Sequence, residues 1–225
     1  MEIKDELIKF NENSLPKNFV AMATKIENKE ATHAGILIRY QSINYLHHFD
    51  GRPPRVVENF DEDGWYIYKV VDFISDDEFE VASFLQYCKR ICAKSQIRYG
   101  FVTDGSFYDE HGNFISRHGL PEFGSCVGFC IGTLKGAIID LSIDEDYFHL
   151  DDWDDTDIDL ELNERLNQYT AHFYPDLDWI LYNSFKKRIK PIEYISSAFT
   201  DSYPIRKVDL NDIKPVIQEY INDKF

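Results

Sequence analysis

At 225 residues, with 44% hydrophobic and 15% aromatic content, the chain is long enough to bury a substantial core, as one domain or one domain with an appendage. Its 40 acids against 24 bases leave a net charge of −16, which excludes a binder of nucleic acid backbone or of anionic membrane. No run approaches the roughly 20 apolar residues of a membrane span, and the charged start Met1-Glu2-Ile3-Lys4-Asp5-Glu6 leads into no apolar signal core. A cytoplasmic location with reduced thiols is therefore expected.

In chain order, residues 1–12 read as a helix on a rough apolar stripe, broken at Asn13-Ser14-Leu15-Pro16. Residues 33–40 and 43–50 read as two strands joined at Gln41-Ser42, and Gly51-Arg52-Pro53-Pro54 ends the hairpin. A short strand starts at Val56-Val57, and residues 65–74, rich in aromatic and β-branched side chains, predict a longer one. Ser75-Asp76-Asp77-Glu78 is a helix start with acids in its first turn, and the helix runs to about residue 94. Residues 97–102 predict a strand, and 104–123 a loop rich in glycine and aromatics. A helix opens at Cys126 and ends near Gly136, and 137–143 predict a strand. Helices follow at 161–172, 177–188 and 211–222.

The chemistry concentrates in a histidine strand and a helix-opening cysteine. Thr32-His33-Ala34-Gly35-Ile36 is a strand carrying an imidazole, and Gly124-Ser125-Cys126-Val127-Gly128 is a tight turn launching a helix. A thiol in a first helical turn has its thiolate stabilised by free amides and the macrodipole, and a nearby imidazole completes a nucleophile–base pair. Side chains alternate faces along a strand. A two-residue turn at Gln41-Ser42 puts Gly35 opposite His48 and His33 opposite Asp50, so His48 or Asp50 would orient the His33 ring. A three-residue turn would select His47 instead.

This order resembles the circularly permuted NlpC-type papain-fold thiol hydrolases and acyltransferases, the group that includes the lecithin–retinol acyltransferase-like proteins. Thr32-His33-Ala34-Gly35-Ile36 matches the family's His-x-Gly-Ile strand, His48 or His47 its second histidine, and Cys126 its nucleophile. Gly105-Ser106-Phe107-Tyr108-Asp109 is similar to a Gly-x-x-Tyr-Asp segment of some branches. The resemblance covers residues 30–136. The acyltransferases' Asn-Cys-Glu-His signature is absent, and the family's opening strand is not obvious.

The resemblance implies an α+β fold with a permuted papain-like core, a small antiparallel sheet packed on the cysteine helix and on the 76–94 helix. Residues 1–136 would form that core with its N-terminal helical extension. Outside the resemblance, the residue pattern of 137–225 predicts an acidic segment and a mostly helical extension packed on the core. The resemblance also implies a cysteine hydrolase or acyltransferase acting on an amide or ester of a small-molecule, peptide or lipid-like acyl substrate. Cys126 would be the nucleophile, His33 the base and His48 the orienting group, with the Cys126 N–H holding the oxyanion. No cofactor or metal is expected. The pairs Cys88/Cys92 and Cys126/Cys130 are spaced i, i+4, which suits core packing better than a zinc knuckle. Asp155, Asp157 and Asp159 have calcium-loop spacing, but Leu160 stands where an EF-hand needs glycine and its twelfth-position glutamate is missing.

From 144 to 164 the chain has eleven acids and no Lys or Arg. Their mutual repulsion predicts an exposed, irregular acidic surface outside any cleft. That surface is the basis of a rival expectation, a non-enzymatic acidic or immunity-type protein that uses it to engage a cationic protein.

Overall fold

A computed structural model describes residues 3–10, 15–61, 65–137, 145–200 and 202–225. Among them the chain is a mixed α/β fold, a six-stranded antiparallel sheet with seven α-helices. In chain order the elements are α1 (Ile3–Glu6), β1 (Ile8–Lys9), β2 (Phe19–Glu27), β3 (Glu30–Tyr40), β4 (Ile43–His48), β5 (Arg55–Glu58), β6 (Tyr66–Val70) and α2 (Glu78–Lys94). Then come β7 (Arg98–Tyr99), β8 (Phe107–Tyr108), β9 (Phe114–Ile115), β10 (Phe123–Gly124) and α3 (Cys126–Lys135). The last are α4 (Leu160–Phe173), α5 (Trp179–Ser184), α6 (Pro191–Ser197) and α7 (Ile213–Lys224). The sheet order is β1-β6-β2-β3-β4-β5.

The β3–β4 hairpin forms with the expected register, Gly35 opposite His48 and Leu37 opposite Leu46. Its turn residues Gln41 and Ser42 both have positive φ, 48° and 68°, the two-residue turn whose twist matches the strands. That backbone is unfavourable for side-chain-bearing residues. It is held from outside, by Asn18 Oδ1 accepting the Gln41 N–H and Lys17 O accepting the Ser42 N–H.

The sheet has two unlike faces. On one, Val20, Met22, Ala34, Ile36 and Ile38 pack under α2, α3, α6 and α7 in the main core. On the other, Ala21, Ala23, Leu37, Leu46, Tyr66 and Tyr68 form a smaller core closed by Phe10 and Phe60. β2 sits between β3 and β6, buried on both sides, and supplies both cores. No local sequence pattern marks it, because a strand covered on both faces has no two-residue polarity alternation, and Ala and Met favour helix.

Several expected boundaries differ. The predicted helix over 1–12 ends at Glu6, and Ile8–Lys9 instead pairs with β6. The 65–74 strand stops at Val70, and the 97–102 strand shrinks to Arg98–Tyr99, paired in parallel with β10. The 104–123 loop contains the β8–β9 hairpin. The 177–188 helix stops at Ser184. The strand expected at 137–143 lies, but for Ala137, outside the described residues. Helix α6 has no helical signature of its own, since Ile and Tyr suit a strand. Pro191 at its first position and its packing against β2 and β3 make it helical.

The acidic segment is divided inside itself. Tyr147, Phe148, Trp153 and Ile158 are buried, while Asp151, Asp154, Asp155 and Asp157 between them are exposed. Several acids are matched by bases from elsewhere. Asp146 pairs with Arg117 and Lys135, Asp157 with Lys190, and Asp152 takes a two-point bond from Arg206 at 2.7 and 2.8 Å. The section is thus an anchored edge of the core with an acidic outer surface, and not a solvated loop.

Candidate functional site

Cys126 stands where the sequence puts it, at the first residue of α3. Ser125 caps the helix, its Oγ accepting the Gly128 N–H at 3.2 Å. The amides of Ala34, Val127 and Cys126 itself favour a thiolate, as does the charge of Arg188. Burial opposes them and wins. Cys126 is 6% exposed, and its thiol is pushed above the ordinary range.

The two histidines of the expected site meet each other. His33 Nε2 lies 2.9 Å from His48 Nδ1, with the rings edge to face. The register explains it, because His48 lies opposite Gly35, two residues along from His33 on the same sheet face. Burial pushes His48 down to about 4, followed by the charges of His33 and Arg55. Asp50, the other candidate partner, is committed to Arg55 by bonds of 2.8 and 3.1 Å, and that guanidinium holds its carboxyl well below the usual range.

The expected Cys126–His33 hydrogen bond is not among the bonds of the described residues. The cause is strand parity. α3 packs on the face carrying Ala34, Ile36 and Ile38, and Cys126 joins that core. His33, Gly35 and Leu37 alternate to the opposite face, where Leu37 packs with Leu46. What approaches the Cys126 sulfur from β3 is the Ala34 amide. The structure therefore brings His33 and His48 together and puts the sheet between them and the thiol.

A different thiol does touch an imidazole. Cys92 Sγ lies 3.5 Å from His47 Nδ1, and His47 Nε2 lies 3.1 Å from Thr133 Oγ1. The Thr133 hydroxyl donates to Phe129 O, so it accepts from His47 and leaves Nδ1 to accept from the thiol. The contact has the shape of a nucleophile–base–orienter chain but the wrong electrostatics. Burial pushes His47 down to about 3 and Cys92 up to about 12, so the proton stays on sulfur. Cys92 also sits in the last turn of α2, where the macrodipole disfavours an anion. His47 faces the core because its neighbour His48 faces away. The parity argument finds that; the Cys92 contact needs α2 docked.

All four cysteines are free, and among the described residues no group of three or more His, Cys, Asp or Glu is arranged to hold a metal ion. Asp155, Asp157 and Asp159 do not converge. Asp157 pairs with Lys190, and Asp159 caps α4 through the Leu162 N–H. No helix among the described residues is long and apolar enough to cross a membrane. In comparisons with known proteins, no family model, curated protein or solved structure matches the chain.

Proposed function

We propose that the chain is a non-enzymatic binding protein with a degenerate papain-like core, engaging a cationic partner through its acidic surface. The observation that carries this reading is the division of the 145–164 segment. Buried aromatics pin it to the core, and Asp151, Asp154, Asp155 and Asp157 are exposed between them on a chain of net charge −16. A fixed array of one sign steers an oppositely charged partner and sets its register. The papain-like part is supported by a cysteine in the first turn of a helix packed on an antiparallel sheet. That the core is degenerate is supported by the lack of a Cys126–His33 hydrogen bond among the described residues and by the burial that keeps the Cys126 thiol protonated.

Asp151 and Asp155 are the carboxylates to test. Asp152 is excluded because its bonds to Arg206 and to the Lys207 N–H make it structural. Replacing both residues by lysine is expected to weaken binding to an oligolysine probe severalfold at low salt, and less at about 0.15 M, where charges beyond roughly 8 Å are screened. The control reverses two exposed acids elsewhere, Glu30 and Asp76. Equal losses in both variants would show that only net charge matters and would sink the reading.

The second reading, a cysteine hydrolase or acyltransferase using Cys126, is favoured by the place of that thiol at the first residue of a capped helix. Iodoacetamide at neutral pH separates the two. Slow alkylation of Cys126, unchanged by His33→Ala, is the expected result, since burial keeps the sulfur protonated. Fast stoichiometric labelling that His33→Ala abolishes would restore the hydrolase.

A further inference from the structure

We infer that the α4–α5 hairpin is the docking surface for a basic, partly apolar segment of a partner protein, and that the groove at its turn seats an arginine or lysine of that segment. The inference rests on the binding-protein reading and adds to the acidic segment a second contact for the same kind of partner.

The hairpin is poorly buried for its length. α4 runs 14 residues and fully buries only Thr170; α5 fully buries only Tyr182. Among the described residues nine large apolar side chains are exposed, and four of them fall on these two short helices. Leu160 is 82% exposed and Ile180 86%, with Tyr169 and Phe173 less so. Scattered exposed aliphatics need no explanation, but Phe173 at the end of α4 and Ile180 near the start of α5 flank the turn from either helix. Charge says what covers it. Residues 159–184 hold five carboxylates and one arginine. A second copy of a chain at −16 is repelled by that field, whereas a cationic segment is drawn to it.

The groove sharpens the partner's chemistry. It has a volume of about 440 Å³ between residues 119–121 and the α4–α5 turn. Leu120, Pro121, Phe173, Leu177 and Leu181 line it, and among the described residues the only charged side chains at its wall are Asp176 and Asp178. Asp178 is occupied, its Oδ1 accepting the Ile180 and Leu181 N–H groups at 3.0 Å. Asp176 is exposed. Apolar walls ending in a carboxylate suit a side chain with an aliphatic stem and a cationic head. The chain already shows this chemistry beside the groove. Its own Arg98 lies over the Phe173 ring at 4.0 Å and donates to Tyr169 Oη at 3.1 Å.

The test is fluorescence anisotropy at about 0.15 M salt, with a labelled peptide of alternating arginine and leucine and a second of alternating arginine and serine. The arginine–leucine peptide is expected to bind more tightly. Asp176→Lys and Ile180→Lys, both at exposed positions, should each weaken it about tenfold, roughly one lost ion pair or anchor. Asp212→Lys, at the start of α7, makes the same charge change elsewhere and should leave binding unaltered.

If Asp176→Lys acts no more strongly than Asp212→Lys while reversal of Asp151 and Asp155 does weaken binding, the hairpin inference falls and the acidic-segment reading stands. If neither peptide binds, both fall. Equal affinity for the two peptides overturns the apolar groove. Sedimentation showing a dimer that Ile180→Lys dissociates would assign the surface to a second copy and overturn the inference too.

Discussion

Trp153→Ala is expected to cost roughly 3–5 kcal/mol of folding stability, as large-to-small changes at packed aromatic sites do. Trp153 is 1% exposed. Its ring packs on Phe148 at 4.8 Å, Lys207 Nζ lies over it at 5.8 Å, and its Nε1–H donates to Glu193 Oε2 at 3.1 Å. Repulsion among the exposed acids on either side works to lift the segment away, and this ring opposes it together with the ion pairs of Asp152 and Asp157. Trp153→Phe separates packing from polarity. It keeps most of the apolar volume and removes the donor. Glu193 stays partnered by the Lys190 N–H at 2.8 Å and Lys214 at 3.6 Å, so the loss should be about 1 kcal/mol. Urea denaturation measures both. A loss below about 1 kcal/mol for Trp153→Ala would mean that the acidic edge is not anchored by this residue.

Acid is expected to destabilise the fold well before the carboxylates titrate, and His47 and His48 are the reason. Both are neutral in the fold, with folded values of about 3 and about 4, against an ordinary value of 6.5. As the pH falls below 6.5 the unfolded chain binds protons that the folded chain refuses. The stability they lend is complete above that pH and is lost as the pH drops towards the folded values. Each group contributes at most about 1.4 kcal/mol per pH unit, so the pair takes away up to about 4 kcal/mol between pH 6.5 and 5. Relief of repulsion on a chain at −16 works the other way. The measurement is therefore a difference, wild type against His47→Leu, each unfolded in urea at pH 7 and pH 5. The variant should lose about 2 kcal/mol less over that span. Thr133 keeps its bond to Phe129 O in the variant. Parallel losses in the two proteins would show that His47 accepts a proton in the fold.

The hairpin register, the α2 and α3 starts and the bounds of α4 were legible in the sequence because their causes are local. Asp77, Ser125 and Asp159 each cap the helix that follows them, and each bond spans two or three residues. The turn at Gln41-Ser42 is equally local, and it fixes which of His47 and His48 shares a face with His33. So the chain by itself determined that His33 and His48 meet and that Cys126 opens a helix.

It did not determine which face of the sheet receives that helix. Packing decided this: the surface through Ala34, Ile36 and Ile38 is the one that α2, α3 and α6 cover together. A shift of one residue in parity separates a thiol beside an imidazole from a thiol beneath an alanine, and no short-range signal encodes that choice. The same holds for β2, recognisable only once β3 and β6 flank it, and for the acidic segment. There eleven like charges read as solvated chain, yet Trp153 and Phe148 find a core formed by residues some 40 to 60 positions later. Burial of those rings depends on where α6 and Ile205 lie, and only the folded chain brings them there.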